Sequence, residues 1–345
     1  MTVGHLLIAR ITEGYHRLWS HRSYHACASL RYILAVLGAG QFQWSIIWWV
    51  RHHRAHHRYL DSDKDPYNAR RGLFYSHIGW LIGFTPATWG PVDIADVECD
   101  PVAVWQQRYY AILAPFAGLV VPTYLAQLIC EDWQGGLLYA GLFRSYIHAH
   151  MTFLVNSLAH WSGNQPYSTS HTARDNFFLG LLTSGEGYHN FHHRFPSDYR
   201  NGVHWYAFDL SKWVIWMCER LCLASRVTRT PQEHIERARN YSVLGDASTV
   251  PQNRDYQLDR DRQCNMAWAD YLEKTRAGCC LVCISGMVYD VTDFLYSHPG
   301  GQDLLYHAIG KDATSLFESF PHSGYVRTLL PSLQIAVIAI DNDTY

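Results

Sequence analysis

The sequence of 345 residues lacks an excess of either charge, since 28 lysines and arginines stand against 30 aspartates and glutamates. This balance argues against a nucleic-acid-binding protein, which usually carries a basic surface. The sequence also lacks a disulfide framework, because its nine cysteines are odd in number and follow no framework spacing. No cleavable signal peptide opens the sequence. These absences indicate reduced thiols facing the cytosol.

One cysteine cluster leaves two interpretations open. Cys279, Cys280 and Cys283 have a spacing that could serve a metal, but they lie in an apolar run typical of a strand. Thiols in such a run are more often inert and buried than reactive. We therefore favour structural burial of these cysteines over metal binding.

Histidine is abundant, with 21 residues, and three clusters of it stand out. His189, His192 and His193 follow a His-x-x-His-His spacing, which on a helix places the first residue one turn from the other two. The same spacing recurs at His53, His56 and His57, and a third cluster is bracketed by His16 and His21. Imidazole suits iron, zinc, copper or nickel. A single cluster could be an accident of the surface, but three clusters in one chain predict a metal site.

Tryptophan and tyrosine are abundant too, at 13 and 23 residues, which fits a protein at a lipid–water boundary. Residues 109–130 are uncharged and long enough for a membrane span, which needs about 20 residues. An acidic turn at 131–136 separates them from a predicted return span at 137–159. His160 would then emerge on the side of the earlier histidines.

Residues 32–50 could be a span or a helix in the membrane interface. If they crossed the bilayer, the first and second histidine clusters would lie on opposite sides and could not share a metal site. We therefore expect an interfacial or re-entering element with Trp44, Trp48 and Trp49 at headgroup level. Arginines at 51, 54, 58, 70 and 71 crowd the same side, as the positive-inside rule expects of the cytoplasm.

Several polar residues lie inside or beyond the return span. Arg144, His148 and His150 are costly in lipid, so we expect them to pack within a bundle. Asn156 lies four residues before His160, on the same helix face, which predicts a water-mediated contact with the metal site. Residues 203–224 are amphipathic and rich in tryptophan, which predicts a segment on the membrane surface.

The last third of the chain has the pattern of a small soluble domain after a polar linker. Two short apolar strands flank a Ser285-Gly286 turn. His298 begins His-Pro-Gly-Gly, where glycines let the backbone approach a flat ligand, and His322 follows after a helical stretch. Two loop histidines from opposite walls of an apolar cleft can ligate a haem iron on both faces, which suits electron transfer.

These residues resemble the membrane acyl-CoA desaturases, specifically the fungal delta-9 stearoyl-CoA type with a fused C-terminal cytochrome b5 domain. The likeness covers nearly the whole chain and rests on the histidine clusters, on 65–72, on 156–160 and on 298–301. It implies an all-α membrane helical bundle with a cytosolic histidine-rich di-iron cap, plus a small α+β cytochrome b5-like haem domain. The implied boundaries are 1–225 for the membrane desaturase domain, 226–254 for the linker and 255–345 for the haem domain.

The resemblance also implies the site residues. Two irons are held by nine histidines: His16, His21, His53, His56, His57, His160, His189, His192 and His193. Asn156 reaches the metal through water, and the haem iron is held by His298 and His322. The CoA head group is contacted by Arg51, Asn68, Arg70 and Arg71, since guanidinium forks match phosphate oxygens, although a solvated surface is the alternative for the arginines. The acyl tunnel is lined by Trp49, Thr152 and Phe153.

The implied activity is insertion of a cis double bond, delta-9 in position, into palmitoyl-CoA or stearoyl-CoA with O2. Electrons from NADH are expected through a separate NADH-cytochrome b5 reductase and the fused haem b, because the sequence has no dinucleotide fingerprint. The implied location is the endoplasmic reticulum membrane, multi-pass, with both metal domains cytosolic.

Two alternatives remain open at this point. One is a histidine-box lipid hydroxylase, which uses the same kind of site. The other is a membrane-bound electron carrier without catalysis, because family members carry two membrane helices leading into the first cluster, where this sequence has fifteen residues before His16.

Overall fold

The computed structural model describes residues 11–83, 88–244, 265–292, 294–295, 298, 302–319, 330–331 and 333–339. The chain divides into two compact units, Met1–Val243 and Leu244–Tyr345. The first is mainly helical, and the second combines helices with a small sheet. The predicted division into a helical part and a small α+β part is confirmed.

Four segments in the described residues of the first unit are π-helices, which are wound more loosely than an α-helix: Thr12–Ser20, Tyr75–Gly79, Phe116–Val120 and Gly136–Phe143. The longer helices of this unit are Ala28–Ala39, Ile46–Tyr59, Pro101–Cys130, Leu210–Arg220 and Gln232–Leu244. Successive helical segments follow the turn after Cys130: Trp133–Gly135, Gly136–Phe143, Arg144–Ser157 and Leu158–His160. Shorter helices are Ala69–Arg71, Tyr75–Gly79, Trp80–Ile82, Ala95–Glu98, Phe177–Leu182 and His189–Arg194. Two short strands, His25–Ala26 and Ala224–Ser225, pair in antiparallel.

Pro101–Cys130 is the one helix of the described residues that is long and apolar enough to cross a bilayer. Its 30 residues extend about 45 Å at the α-helical rise. Asp100 caps its start and accepts hydrogen bonds from the backbone N–H groups of Val102 at 2.9 Å and Ala103 at 3.3 Å. Glu131 ends it with a φ of 55°. The acidic segment 131–136 thus begins with the turn between two helices, as the sequence indicated.

Residues 32–50 do not form one helix. Ala28–Ala39 ends at Gly40, and the next helix begins after Ser45, whose hydroxyl accepts from the Trp48 N–H at 3.2 Å. The position of this segment in a membrane interface stays a prediction. Trp49 differs from the prediction of a headgroup anchor, because its ring packs against the core and stacks on His53 with 4.6 Å between centroids. The i, i+4 spacing of the two residues on one helix brings the rings together.

Arg144 lies within the return helix, where main-chain oxygens satisfy its guanidinium. Its Nη2 donates to Gly40 O at 3.2 Å and to Gly118 O at 3.0 Å. His150 pairs with His77, with 3.0 Å between Nδ1 and Nε2. The prediction that these two polar residues of the predicted return span pack against protein is confirmed.

The structure differs from the predicted linker, 226–254, over the first part of that range. Gln232–Leu244 forms a helix, and the two units meet between residues 243 and 244. The Thr228 N–H donates to Ser23 O at 2.8 Å, and Ser242 Oγ donates to Gln165 O at 2.6 Å. The polar composition suggested a linker, but these polar groups bind the first unit. Residues 245–254 lie outside the described part of the chain.

Leu210–Arg220 has the amphipathic character predicted for 203–224. Trp213 and Trp216 are exposed on it, and Asp209 and Lys212 are buried. Asp209 accepts from the Lys212 N–H at 3.0 Å, and the Lys212 ammonium donates to Gly202 O at 2.9 Å. Two of the four charged residues that interrupt the apolar pattern, Asp209 and Lys212, therefore fix the helix to the unit.

The second unit is built on a four-stranded sheet. The strand order is Asn265–Met266, Gln334–Ile338, Met287–Asp290 and Leu281–Ile284. The first pairing is parallel, and the other two are antiparallel. Ser285 and Gly286 have φ values of 52° and 75°, which suits a two-residue hairpin turn. The predicted hairpin is therefore present.

Helices cover both faces of this sheet. Trp268–Arg276 packs on one face, and Gln302–Ala308 packs on the other, next to Thr314–Ser319. Cys283 is buried on the face of the sheet that Trp268–Arg276 covers, whereas Cys279 is exposed. The favoured interpretation, structural burial, holds for Cys283 and is wrong for Cys279, which lies before the strand begins.

We expect Asp100→Ala to destabilise the first unit by about 2–4 kcal/mol, because it removes a helix cap together with buried hydrogen bonds. The Asp100 carboxylate also accepts from Trp19 Nε1 at 3.0 Å and from the Arg31 guanidinium. Thermal unfolding in detergent measures the loss. Asp132→Ala removes an exposed cap of the next helix and is the matched control. Equal losses in the two variants would contradict the role given to Asp100.

Candidate metal centre

His16 lies on the π-helix Thr12–Ser20, and His21 directly follows it. The type of helix decides the geometry of this first cluster. On an α-helix, residues five apart point about 140° away from each other, since each residue turns about 100°. A π-helix instead closes i→i+5 hydrogen bonds, and here the His21 N–H donates to His16 O at 3.1 Å. The two imidazoles therefore lie side by side, with 4.9 Å between ring centroids.

The second cluster lies on the α-helix Ile46–Tyr59. The i, i+3, i+4 spacing places His53, His56 and His57 on one face. The ring centroid of His57 lies 4.6 Å from that of His53 and 5.8 Å from that of His56. The geometry predicted from the spacing holds for this cluster.

The third cluster occupies the short helix His189–Arg194, and two glycines set its position. Gly187 lies against the backbone of the preceding helix, where a Cβ would collide with the backbone of Leu179 and Gly180. Gly185 has a φ of 117°, a conformation that glycine adopts without strain. This close approach brings the cluster next to His160, which ends the segment Leu158–His160.

The nine predicted histidines converge in two adjacent groups, each of which could hold a metal ion. The five-histidine group consists of His16, His21, His53, His57 and His192. The four-histidine group consists of His56, His160, His189 and His193. Within each group, one ring nitrogen per residue lies within 4.8 Å of all the others. The second and third clusters are therefore each divided between the two groups, a division that the sequence did not show.

The ring nitrogens of the five-histidine group face one another. His192 Nε2 lies 2.9 Å from His16 Nε2 and 2.9 Å from His57 Nε2. His21 Nε2 lies 2.7 Å from His53 Nε2. A neutral imidazole carries one proton on its two nitrogens, so the His192 Nε2 atom cannot donate to both neighbours. Converging lone pairs of this kind fit a metal cation.

The four-histidine group repeats the pattern. His189 Nε2 lies 3.0 Å from His160 Nε2 and 2.9 Å from His193 Nε2. His56 Nε2 is buried and makes no hydrogen bond in the described structure. The two groups adjoin where the rings of His57 and His193 stack, with 4.2 Å between centroids. Two metal ions held in these groups would therefore be neighbours.

Each group has a buried carboxylate behind one of its rings. His16 Nδ1 lies 3.2 Å from Glu186 Oε2, and His56 Nδ1 lies 2.8 Å from Asp65 Oδ1. A carboxylate that accepts from Nδ1 fixes the tautomer and leaves Nε2 as the metal-binding atom. Burial alone would raise the pKa of Glu186, but its contact with His16 and the charge of Arg17 outweigh burial and hold that pKa below its usual range.

Arg17, in the first histidine cluster, binds the loop that follows the third histidine cluster. It is completely buried and donates to Asp198 O at 2.5 Å, to Pro196 O at 3.4 Å and to Asn201 Oδ1. Asn201 Nδ2 in turn donates to Glu186 Oε1 at 2.8 Å.

The sequence interpretation did not assign roles to Arg17, Glu186 or Asp65. A signal was available for two of them, since Arg17 lies between His16 and His21, and Glu186 lies shortly before His189. Asp65 lies eight positions beyond His57, and only the folded loop shows which histidine it binds.

Burial lowers the pKa of the clustered histidines, and neighbouring imidazoles lower it further. The effect is strong for His21, His53, His57, His160, His189, His192 and His193, whose pKa values fall well below 6.5. At neutral pH these rings are therefore neutral. The neutral ring is the form that binds a metal.

Trp49, Thr152 and Phe153, predicted to line an acyl tunnel, lie on two different helices. Thr152 Oγ1 accepts from Gln43 Nε2 at 2.7 Å. The ring of Phe153 packs edge-on against His77, with 5.7 Å between centroids. Their place in a tunnel stays a prediction.

The residues predicted to contact a CoA head group have different surroundings. Arg51 is half exposed and pairs with Glu98, with 2.9 Å between Nη2 and Oε1. Arg70 and Arg71 are exposed, and the Arg71 guanidinium lies 3.8 Å from the centroid of a tyrosine ring. Asn68 is buried and accepts from the Arg70 N–H at 2.9 Å. In this structure Asn68 caps the turn that presents the two arginines.

The remaining predicted site residues are only partly within the described chain. Asn156 is half-buried, one turn before His160. The half-buried ring of His298 meets the ring of Phe294 edge to face, with 5.6 Å between centroids. Residues 299–301 and His322 lie outside the described residues. Ligation of haem by His298 and His322 therefore stays a prediction, as does the role of Asn156.

Two family models match the chain. The model for fatty acid desaturase covers residues 1–224, and the model for the cytochrome b5-like heme/steroid binding domain covers residues 267–339. The chain belongs to the fatty acid desaturase family. The resemblance seen in the sequence, to a desaturase with a fused cytochrome b5 domain, is confirmed.

Similar proteins occur in fungi and animals. A probable acyl-CoA desaturase of Schizosaccharomyces pombe is 42% identical over 95% of this chain and 68% of its own length. Acyl-CoA desaturase 1 of Saccharomyces cerevisiae is 39% identical over 95% of this chain and 65% of its own. Human stearoyl-CoA desaturase 5 is 41% identical over 69% of this chain and 73% of its own. The chain thus spans about two thirds of the length of the fungal relatives.

We expect the metal-free protein to lose stability as the pH falls below about 6.5. The buried histidines stay neutral in the folded state and take up protons in the unfolded state, so their contribution is complete above the unfolded pKa and is lost toward the lower folded pKa. Each such histidine contributes a slope of about 1.4 kcal/mol per pH unit within that window. Thermal unfolding of chelator-treated protein in detergent between pH 8 and pH 5, roughly the range in which histidine titrates, measures it.

A matched control is available for this pH dependence. His204 is exposed, so His204→Gln should leave the slope unchanged, whereas His57→Gln should reduce it. A melting temperature that does not change over this pH range would contradict the burial of neutral rings.

Proposed function

We propose that the chain is an acyl-CoA desaturase that inserts a cis double bond at the delta-9 position of saturated palmitoyl-CoA or stearoyl-CoA. The observation that carries this proposal is the convergence of nine imidazoles in two adjacent groups. The names of the relatives, acyl-CoA and stearoyl-CoA desaturases, support the substrate class. The overall reaction removes two hydrogens from the acyl chain, while O2, two electrons and two protons yield two waters.

The nine histidines are the proposed ligands of two iron ions, and Asn156 is the proposed water-mediated contact. Iron bound there would supply, with O2, an oxidant strong enough for an unactivated methylene C–H bond, which no acid or base of a protein can break. The other residues of the site hold the rings in place. Glu186 and Asp65 orient His16 and His56, respectively.

The second unit is the proposed electron donor. His298 and His322 would hold a haem b, which would supply transfer of one electron at a time. Fusion to the first unit raises its effective concentration to roughly millimolar. The electrons come from NADH through a separate NADH-cytochrome b5 reductase.

The substrate is proposed to bind with its head group and acyl chain in separate places. Exposed Arg70 and Arg71, with Arg51 and the turn capped by Asn68, offer guanidinium groups to the phosphates of CoA. Trp49, Thr152 and Phe153 line the acyl tunnel. The stacking of Trp49 on His53 supports a tunnel that reaches the five-histidine group.

The proposed location is the endoplasmic reticulum membrane, with several spans and with both metal units in the cytosol. The apolar helix Pro101–Cys130 and the exposed apolar side chains of the helix that follows it support a membrane location. Exposed Trp213 and Trp216 support contact of Leu210–Arg220 with the headgroup layer.

The direct test uses the purified full chain, loaded with iron and haem, with reductase, NADH, O2 and stearoyl-CoA. We expect a monounsaturated product two hydrogens lighter than the substrate, with the double bond at delta-9 by fragmentation in the mass spectrometer. Addition of an oxygen atom would indicate a lipid hydroxylase instead. Oxidation of NADH without a lipid product from an iron-loaded protein would indicate an electron carrier and would refute the proposal.

A second test separates the two metal sites. We expect His192→Ala to lose iron and keep the haem absorbance, because His192 Nε2 faces two rings of the five-histidine group. His298→Ala should lose the haem absorbance and keep iron. The absorption spectrum measures the haem, and metal analysis gives the non-haem iron once the haem iron is subtracted. Equal loss of haem and of non-haem iron in either variant would contradict the assignment.

A further inference from the structure

His160 is held from behind by a hydrogen-bonded chain of two residues, Thr172 and Asp61. Thr172 Oγ1 lies 2.8 Å from His160 Nδ1 and 2.6 Å from Asp61 Oδ1. The Thr172 backbone N–H also donates to Asp61 Oδ2, at 2.7 Å. Asp61 therefore contacts both the side chain and the backbone of Thr172.

The chemistry of a hydroxyl sets the direction of this chain. Thr172 has one hydroxyl proton, and an ionised carboxylate can only accept, so the proton is donated to Asp61. The hydroxyl oxygen then accepts from His160 Nδ1–H. His160 is thereby held in the tautomer whose Nε2 is free to bind a metal, and that Nε2 lies 3.0 Å from His189 Nε2.

Asp61 belongs to the loop that follows the helix Ile46–Tyr59, as does Asp65. The Asp61 N–H donates to Asp65 Oδ2 at 3.1 Å, and Asp65 Oδ1 lies 2.8 Å from His56 Nδ1. Asp61 has a φ of 61°, a conformation that aspartate tolerates better than most residues. One short loop thus supplies the carboxylates behind two rings of the four-histidine group.

We propose that Asp61 is a positioning residue that acts through Thr172 to orient His160 in the four-histidine group. The five-histidine group has a different support, Glu186 behind His16. The two metal positions are therefore held by separate hydrogen-bond networks, and each can be weakened alone. This inference rests on the proposed assignment of the histidines as iron ligands.

The test compares Thr172→Val with Thr172→Ser in the full chain. Valine has nearly the same shape but no hydroxyl, and it keeps the backbone bond to Asp61, whereas serine keeps the hydroxyl. We expect Thr172→Val to bind one of its two irons about 10-fold or more weakly, as is typical when a residue behind a metal ligand is lost. Iron content during titration with an iron chelator measures the affinities, and the Mössbauer spectrum shows whether one of two iron signals is lost.

Further variants identify which iron is affected. Asp61→Asn should weaken the same iron as Thr172→Val, and Asp63→Asn, an exposed position on the same loop, should weaken neither. Glu186→Gln should weaken the other iron, so that its combination with Thr172→Val weakens both.

Four outcomes would overturn the inference: no change of affinity in Thr172→Val, equal weakening of both irons, serine as damaging as valine, or loss of folding in both Thr172→Val and Asp61→Asn. The last would assign these residues a structural role. A wild-type chain that binds no iron would instead refute the proposed function itself. Unchanged iron affinities in the variants of an iron-binding wild type would refute this inference alone.

Discussion

Lone pairs that point at one another in a buried pocket repel, and the first unit concentrates nine imidazoles in that arrangement. The rings cannot escape by charging, because burial and mutual repulsion oppose the uptake of protons. Until a cation binds these lone pairs, the surrounding residues hold a pocket of this kind together. Much of the remaining architecture supplies those surroundings.

The support comes from segments far apart in sequence. Arg17 connects the first π-helix to the loop around Asp198, and Asn201 connects that loop to Glu186. Asp61, through Thr172, and Asp65 hold rings of the four-histidine group. Because these polar groups are buried, each needs its partner in place, so the two networks are satisfied only when all the segments have assembled. The rigidity of the site follows from this mutual dependence.

The sequence predicted a site built from the histidine clusters and the two-part division of the chain, because both depend on local patterns. His53, His56 and His57 fall on one face of an ordinary helix, and Ser285-Gly286 makes an ordinary hairpin turn. Other features could not be predicted from the sequence. The spacing of His16 and His21 fits one face only on a π-helix, and no residue pattern in that stretch distinguishes it from an α-helix. The polar segment after residue 226 suggested a linker, since composition does not show that polar groups have partners elsewhere in the chain.

The two-stranded ribbon that pairs His25 with Ser225 joins an early and a late segment of the first unit. A ribosome delivers the first strand early and the second only after nearly all of the unit has been made. Until then the ribbon cannot form, and the entropy of closing so long a loop delays it further. The nine histidines, which lie between His16 and His193, have therefore all been synthesised before the ribbon can pair.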